Sequence, residues 1–244
     1  MPRAPWSELS HALSASLHLT SPPVAITFRA DGAPAVAGLA PFDAPMPIPT
    51  PDGRTGRVPA GCVFWMKAAE RTFSTVAADH GNCSVGSLTH GFVTLEEAAG
   101  REDVATLLES GWVTMEMVPD IPVVADRPGC VVYGPLGDTP VDPDVVLIRI
   151  NGKQLMVLSD ALPGLRVEGK PQCHIVAVAK EQGEVAASVG CMLSRTRTGM
   201  ASEEMTCAIP AARLAEVVER VEATARVDAV VAGYAAEDAL RFGP

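Results

Sequence analysis

Short apolar segments with strand character alternate irregularly with helical ones, and this pattern constrains the fold more than any single motif. The strand-like segments are VAITF, VTMEMV, CVVYGPL, DVVLIRI, EVAASVGC and MTCAIP. Helical periodicity is found over residues 7–17, 62–77, 94–111, 153–162 and 211–225. The segment CHIVAVAKEQG favours a helix, with a strand as the alternative. Because helices and strands do not alternate strictly, the sequence predicts an α+β fold, a mixed sheet with packed helices.

The length and apolar content of the chain are sufficient for one compact domain. With 244 residues, 48% of them hydrophobic, the chain can bury a core without disulfide or metal crosslinks. We therefore predict a single α+β domain over residues 1–244. Residues 31–60 contain seven prolines and lack both helical and strand periodicity, which predicts an irregular proline-rich arm or lid.

The charge and hydropathy of the chain argue against several classes of protein. A net charge of -10, with acidic residues spread along the chain, disfavours a nucleic-acid surface, which needs clustered Lys and Arg. The longest apolar runs, such as VVLI at 145–148, are much shorter than the ~20 residues of a transmembrane helix. The N-terminus lacks the continuous apolar segment of a signal peptide, so we expect a soluble cytoplasmic protein.

The glycine-rich segment GNCSVGSLTHGF, residues 81–92, lies between two predicted helices. It lacks the lysine of a phosphate-binding loop and does not follow a strand, as a dinucleotide-binding loop would. His80 and His90 bracket Cys83, and each histidine is a candidate proton donor or metal ligand. A surface or hydrogen-bonded histidine is the alternative for both.

The six cysteines fall into two groups by their sequence neighbours. Cys130 and Cys207 lie in apolar strand-like runs, which is typical of buried core cysteines. The other four lie at the ends of predicted elements, three beside glycine and one after a proline turn: Cys62, Cys83, Cys191 and Cys173. Their wide spacing excludes the compact zinc and ferredoxin motifs. A site made from them would join four distant segments, and catalysis or core packing stay open as alternatives.

Arg195, in the segment CMLSRTRTGM, is a candidate anion-binding residue. It follows Cys191 closely in an otherwise acidic chain, and a guanidinium group suits a substrate carboxylate or phosphate. The alternative is a solvated loop with an ion pair to Glu203 or Glu204. A serine hydrolase is not indicated, since the chain has no GxSxG motif.

An ordered series of short blocks resembles the domain of unknown function 169 family over nearly the whole chain. The blocks are PPVAITF, the cysteine at 62, HGNCSVG, DVVLIRING, QLMVLSDAL, QCHIV and SVGCMLSR. The resemblance implies recurrent cysteines at the positions of Cys62, Cys83, Cys173 and Cys191, and not at the other two. It implies a fold and a site location without a reaction. The chain departs from the family pattern in the proline-rich segment 41–59, a candidate lid.

Four dispersed family cysteines favour a 4Fe–4S iron–sulfur cluster as cofactor, in a cleft covered by the arm. With three cysteines bound, the cluster would act as a Lewis acid, as in a lyase, desulfidase or dehalogenase. With four bound, it would transfer electrons. In this hypothesis Arg195 holds a small anionic substrate, and His80 or His90 moves the proton.

Two other functions are compatible with the sequence. One is a non-catalytic module that binds a small molecule or another metal. The other is a thiol-dependent enzyme without metal, for example one using Cys83 with His90. For partners, we predict a small-molecule substrate, no nucleic acid and no membrane, and leave a homo-oligomer open.

Overall fold

A mixed seven-stranded sheet forms the centre of the computed structural model, which describes residues 6–31, 39–43, 47–169 and 171–243. The strands of the chain are β1 (Val24–Arg29), β2 (Ile48–Pro49), β3 (Thr55–Gly56), β4 (Phe73–Thr75), β5 (Cys130–Pro135), β6 (Val145–Ile150), β7 (Arg166–Glu168), β8 (Ala186–Ser188) and β9 (Met205–Pro210). Across the main sheet their order is β4-β5-β1-β6-β9-β8-β7, and β2 pairs with β3 in a separate hairpin. Neighbouring strands of the main sheet are antiparallel, except that β7 and β8 are parallel.

The central strands are mostly buried and mostly apolar because both faces of the sheet are covered. β6 is buried at five of its six positions and pairs with β9 from Val145 opposite Pro210 to Ile150 opposite Met205. Burial on both faces removes the alternation of apolar and polar residues that a half-exposed strand shows. The continuous apolar runs of the sequence therefore mark the middle of the sheet.

Three long helices cover one face of the sheet: α1 (Trp6–Leu17), α6 (Gly152–Ala161) and α9 (Leu214–Phe242). They bury Leu13, Leu158 and Val217 completely in a common apolar cluster with the sheet. α9 continues well past the segment 211–225 that the sequence predicts as a helix.

Gln154 fixes α6 against the end of α1. Its Oε1 accepts a hydrogen bond from the backbone N–H of Asn151, which is the residue that caps α6. Its Nε2 donates to the carbonyls of Leu17 and His18, at 2.9 and 3.0 Å. Since Gln154 is buried, these bonds satisfy a polar side chain that would otherwise destabilise the core.

The opposite face carries short helices and an aromatic cluster. The helices are α2 (Cys62–Lys67), α3 (Ser84–Thr89), α4 (Leu95–Ala99), α5 (Glu102–Glu109), α7 (His174–Ala177) and α8 (Met192–Thr198). Phe64 packs edge-on against Phe42, with ring centroids 4.9 Å apart, and stacks on Tyr133 at 5.8 Å. Cys62 and Cys173, from two of the short helical segments, pack against the same apolar cluster.

The predicted fold class is confirmed, because the chain folds as a mixed sheet with packed helices in one compact α+β unit. The predicted helix over 62–77 is too long, since it ends at Lys67 and residues 73–75 form β4. The predicted strand VTMEMV is wrong, because Met115–Asp120 is a 3-10 helix. In the segment CHIVAVAKEQG the helix is found, as α7 followed by a π-helix over Val178–Gln182.

The predicted helix over 94–111 is interrupted into α4 and α5. Thr94 and Glu97 form the expected capping box, with reciprocal hydrogen bonds of 3.1 and 2.7 Å. The first helix stops after only five residues, at Gly100, and Arg101 in extended conformation precedes the second. None of the helices in the described part of the chain combines the length and apolar character that crossing a bilayer requires.

The proline-rich arm contains more regular structure than the sequence indicates. The hairpin of β2 and β3 lies within it, and Pro41 forms a bridge to Ser74 of β4. The expectation that residues 31–60 lack strands is therefore wrong for this hairpin. Residues 32–38 and 44–46 of the arm lie outside the described residues.

Candidate functional site

Four cysteines that are far apart in sequence line one small cavity on the helix-rich face. They are Cys62, Cys83, Cys173 and Cys191. The cavity has a volume of about 30 Å³, enough for one or two water molecules. The remaining two cysteines, Cys130 and Cys207, are fully buried in β5 and β9, which agrees with the core position predicted for them.

Each of the four cysteines stands at the start of a helix. Cys62 is the first residue of α2, and the other three directly precede α3, α7 and α8. The first turn of a helix has backbone N–H groups without intrahelical acceptors. One of them, the N–H of Gly86, donates to Sγ of Cys83 at 3.4 Å. The local folding of the chain thus presents thiols together with hydrogen-bond donors that suit a thiolate.

Burial raises the pKa values of three of these thiols. The pKa of Cys62 rises to about 12, mainly through burial and secondarily through the charge that Cys83 would carry. Burial likewise raises the pKa of Cys83 and that of Cys173, where Cys83 adds to the effect. The three thiols are therefore protonated at neutral pH unless a positive centre lies among them.

Asn82 connects the segment that carries Cys83 to the arm. Its side chain is buried, and its Nδ2 donates to the carbonyls of Gly56 and Val58, at 3.1 and 3.2 Å. Its Oδ1 accepts from the N–H of Gly56 at 3.1 Å. The β2–β3 hairpin is thereby held directly beside the cysteine cavity.

An ionic network reinforces this connection. Arg54 of the arm donates to the carbonyl of Gly81 at 2.5 Å and pairs with Asp103 of α5 at 2.9 Å. Asp103 in turn accepts from both the N–H and the hydroxyl of Ser84, at 2.9 and 2.6 Å. Arg197 donates to the carbonyl of Asn82 at 2.9 Å. These contacts fix the first turn of α3 and hence the position of Cys83.

The structure brings one of the two predicted histidines to the cysteines. His90 lines the cavity, its Nδ1 lies 3.0 Å from the carbonyl oxygen of Gly86, and its buried Nε2 has no hydrogen-bond partner. His80 is not among the lining residues. It packs between Phe64 and Phe92, with ring centroids 4.6 Å from each, and its Nε2 lies 3.0 Å from the hydroxyl of Thr75.

Both histidine rings are neutral in the folded protein. Burial lowers the pKa of His90 to about 4, and a hydrogen bond to the carbonyl of Gly86 opposes this shift only partly. Burial also lowers the pKa of His80 well below its ordinary value, and His90 adds to the effect. The two rings are 5.8 Å apart, so a charge on either one would disfavour a charge on the other.

Arg195 lies away from the cavity and is engaged in backbone contacts. Its guanidinium donates to the carbonyls of Val189, Ser202 and Glu204, at 3.0, 3.2 and 2.7 Å. It lies against Gly190, where a Cβ atom would be only 1.9 Å from Nη1. Through these contacts Arg195 stabilises the turn after β8. Its predicted binding of an anionic substrate stays a prediction.

Sequence reasoning did not single out Gln172, which is also part of the cavity wall. It is almost completely buried, its Nε2 donates to the hydroxyl of Ser194 at 2.8 Å, and its Oε1 has no hydrogen-bond partner. The available signal was its position directly before Cys173.

The fold and this cavity define a class of protein: an α+β domain with four convergent thiols on one face of a mixed sheet. The chain belongs to the DUF169 family, described as uncharacterised ArCR, whose model matches residues 12–220. The resemblance found in the sequence is thus confirmed, and the matched region includes all four cysteines. No curated protein and no solved structure matches the chain.

Proposed function

We propose that Cys62, Cys83, Cys173 and Cys191 hold a 4Fe–4S cluster, and that the protein is an enzyme acting on a small molecule. The observation that carries this proposal is the meeting of four thiols, from four distant segments, around one cavity. Proteins use such all-sulfur sites for iron–sulfur clusters and for structural zinc. The cytoplasmic location inferred from the sequence is part of the proposal.

The donor set is chemically suited to a 4Fe–4S cluster, in which four cysteine thiolates are the protein ligands. Among the residues that the structure describes, no group of three or more His, Cys, Asp or Glu side chains is arranged to hold one metal ion. A cluster contributes its own iron and sulfide atoms, so its protein ligands need not share one ion. The cavity of about 30 Å³ is small, and the side chains around it must separate when a cluster is inserted.

The acid–base properties of the thiols bear on the alternative without metal. Burial raises the pKa values of Cys62, Cys83 and Cys173, which makes them poor nucleophiles at neutral pH. This disfavours a thiol-dependent enzyme that uses one of these three thiols, such as Cys83 with His90. Binding a soft metal centre would deprotonate the thiols and release protons to solvent.

Two polar side-chain atoms beside the thiols have no hydrogen-bond partner among the described residues and could take part in a reaction in this cavity. Nε2 of His90 and Oε1 of Gln172 are buried in the cavity wall without hydrogen-bond partners. We assign proton transfer to Nε2 of His90 and substrate or water binding to Oε1 of Gln172. His80 does not line the cavity, so it supports His90 by packing. When bound, the cluster would supply a Lewis-acidic iron or an electron carrier.

The test is anaerobic reconstitution of the protein with ferrous iron and sulfide. We expect the wild-type protein to bind about four iron and four sulfide per chain and to show the broad visible absorbance of a cluster. Serine at position 62, 83, 173 or 191 should lower the bound iron or abolish the absorbance. Cys130→Ser and Cys207→Ser are matched controls, because both cysteines are buried outside the cavity.

Two results would contradict the proposal. One is a wild-type protein that binds neither iron nor sulfide although circular dichroism shows it folded. The other is equal loss of iron in the controls and in the four cavity variants. Zinc bound without sulfide would instead support the metal-binding module.

A further inference from the structure

A second and larger cavity lies beside the cysteine cavity. Its volume is about 350 Å³, within the range of small-molecule sites. It lies between α3, α4, α5, the 3-10 helix and the segment around β7, and its wall is mostly apolar. Among the lining residues are Leu88, Leu107, Leu108, Val113, Val118 and Ile121. Such a wall binds apolar groups of a ligand by removing them from water.

One buried polar atom in this wall lacks a partner. His174 is only 6% exposed, and its Nε2 makes no hydrogen bond to any residue that the structure describes. A buried polar group without a hydrogen bond is costly, which favours a ligand that supplies one. Ser84, by contrast, already donates its hydroxyl hydrogen to Asp103. Among the lining residues, His174 is thus the one whose side chain keeps an unpartnered polar atom, and because this atom is closed to solvent, a ligand reaches it only when the ring or its neighbours shift.

The charges around the cavity disfavour an anionic ligand. Asp120 and Glu168 contribute two carboxylates to the wall, and Arg166 contributes one guanidinium. This guanidinium is already paired with Glu168 and lies 3.7 Å from Glu184. A ligand carboxylate would therefore lose its hydration without gaining a free cation.

We propose that this cavity binds a neutral, mostly apolar small molecule whose hydroxyl group hydrogen-bonds to Nε2 of His174. A hydroxyl can donate or accept, so it satisfies either tautomer of the imidazole. Val85 and Pro171 line both cavities, and Cys173 precedes His174, so the ligand lies next to the four thiols. The site binds its ligand without any metal. The proposed ligand is neutral and therefore differs from the anionic substrate predicted from the sequence.

The test uses metal-free protein and the neutral fluorophore N-phenyl-1-naphthylamine, displaced by 1-octanol or by octanoate at pH 7.5. We expect 1-octanol to displace the fluorophore at a concentration at least about tenfold lower than octanoate, because the carboxylate must be desolvated. His174→Phe should weaken 1-octanol about tenfold, which corresponds to one hydrogen bond to a buried group. His11→Phe is the matched control, since His11 is exposed on α1.

Filling the cavity provides a second variant. Val118→Trp should weaken both the fluorophore and 1-octanol about tenfold or more, whether or not His174→Phe folds. The proposal would be overturned if octanoate bound as tightly as 1-octanol. It would also be overturned if Val118→Trp bound the fluorophore and 1-octanol as tightly as the wild-type protein does. Unchanged 1-octanol binding in a folded His174→Phe protein would overturn the role of His174. Because no iron is present in these experiments, their outcomes do not depend on whether the four cysteines bind a cluster.

Discussion

Asn82→Ala is expected to lower the free energy of unfolding by about 3 kcal/mol, because three buried hydrogen bonds are lost together. The Asn82 side chain donates to the carbonyls of Gly56 and Val58 and accepts from the N–H of Gly56. Alanine removes all three hydrogen bonds, while the contacts of Arg54 to Gly81 and Asp103 stay in place. Urea unfolding at pH 7, followed by circular dichroism, measures the change.

Asn151→Ala is the matched control for this prediction. Asn151 caps α6 with one side-chain hydrogen bond to Gln154, at 3.0 Å, on the other face of the sheet. Losing an N-cap costs about 1 kcal/mol. If Asn82→Ala cost no more than Asn151→Ala, the arm would not depend on Asn82. We also expect faster alkylation of Cys83 in Asn82→Ala than in the control.

Acidification from pH 6.5 to 4 is expected to destabilise the metal-free protein strongly. The folded state keeps His90 neutral with a pKa of about 4, whereas an unfolded histidine has a pKa of about 6.5. The unfolded state therefore binds more protons in this window, and its free energy falls relative to the folded state. His90 alone accounts for a loss of about 3 kcal/mol, fully developed below pH 4.

Other buried groups also change the unfolding free energy between pH 6.5 and 4. Burial lowers the pKa values of His80 and His174 as well, so both act in the same direction as His90. Burial raises the pKa of Asp79, which acts in the opposite direction. The histidines are expected to dominate between pH 6.5 and 4, because they are three groups against one.

The measurement is the unfolding free energy from urea titrations at half-unit pH intervals. Its slope against pH reports the difference in bound protons between the two states. His90→Phe should reduce this slope by nearly one proton, and His11→Phe should leave it unchanged because His11 is exposed. A flat profile between pH 6.5 and 4.5 would show that His90 is not held neutral by the fold.

The division of the cysteines could be predicted from local sequence, but their meeting could not. A glycine or proline within two or three residues, at the end of a predicted element, indicates the four site cysteines, whereas an apolar strand-like run indicates that Cys130 and Cys207 are core residues. Spacing rules recognise only ligands that lie close together in the chain. The four segments meet through tertiary packing, which local sequence does not encode; local context and the family resemblance indicate which cysteines belong together, but not that they share one cavity.

The short helices of the site also could not be predicted from sequence patterns. α3 has the sequence SVGSLT, in which glycine and β-branched residues are weak helix formers. It forms because Asp103, from a different helix, satisfies the N–H and hydroxyl of Ser84. The sequence does not predict α8 either, since a solvated loop is one of the two interpretations of this segment. Tertiary hydrogen bonds determine the structure here, whereas apolar periodicity indicates α1 and continuous apolar runs indicate the central strands.

The attachment of the arm has a consequence for how opening of the site can be observed. Both acceptors of the Asn82 side-chain amide, the carbonyls of Gly56 and Val58, belong to the arm. The two amide hydrogens can therefore exchange with solvent only when the hairpin has moved off the cysteine segment. The exchange rate of the Asn82 side-chain NH₂ hydrogens, measured by NMR, thus reports how often the hairpin detaches. This measurement needs no ligand, metal or reaction.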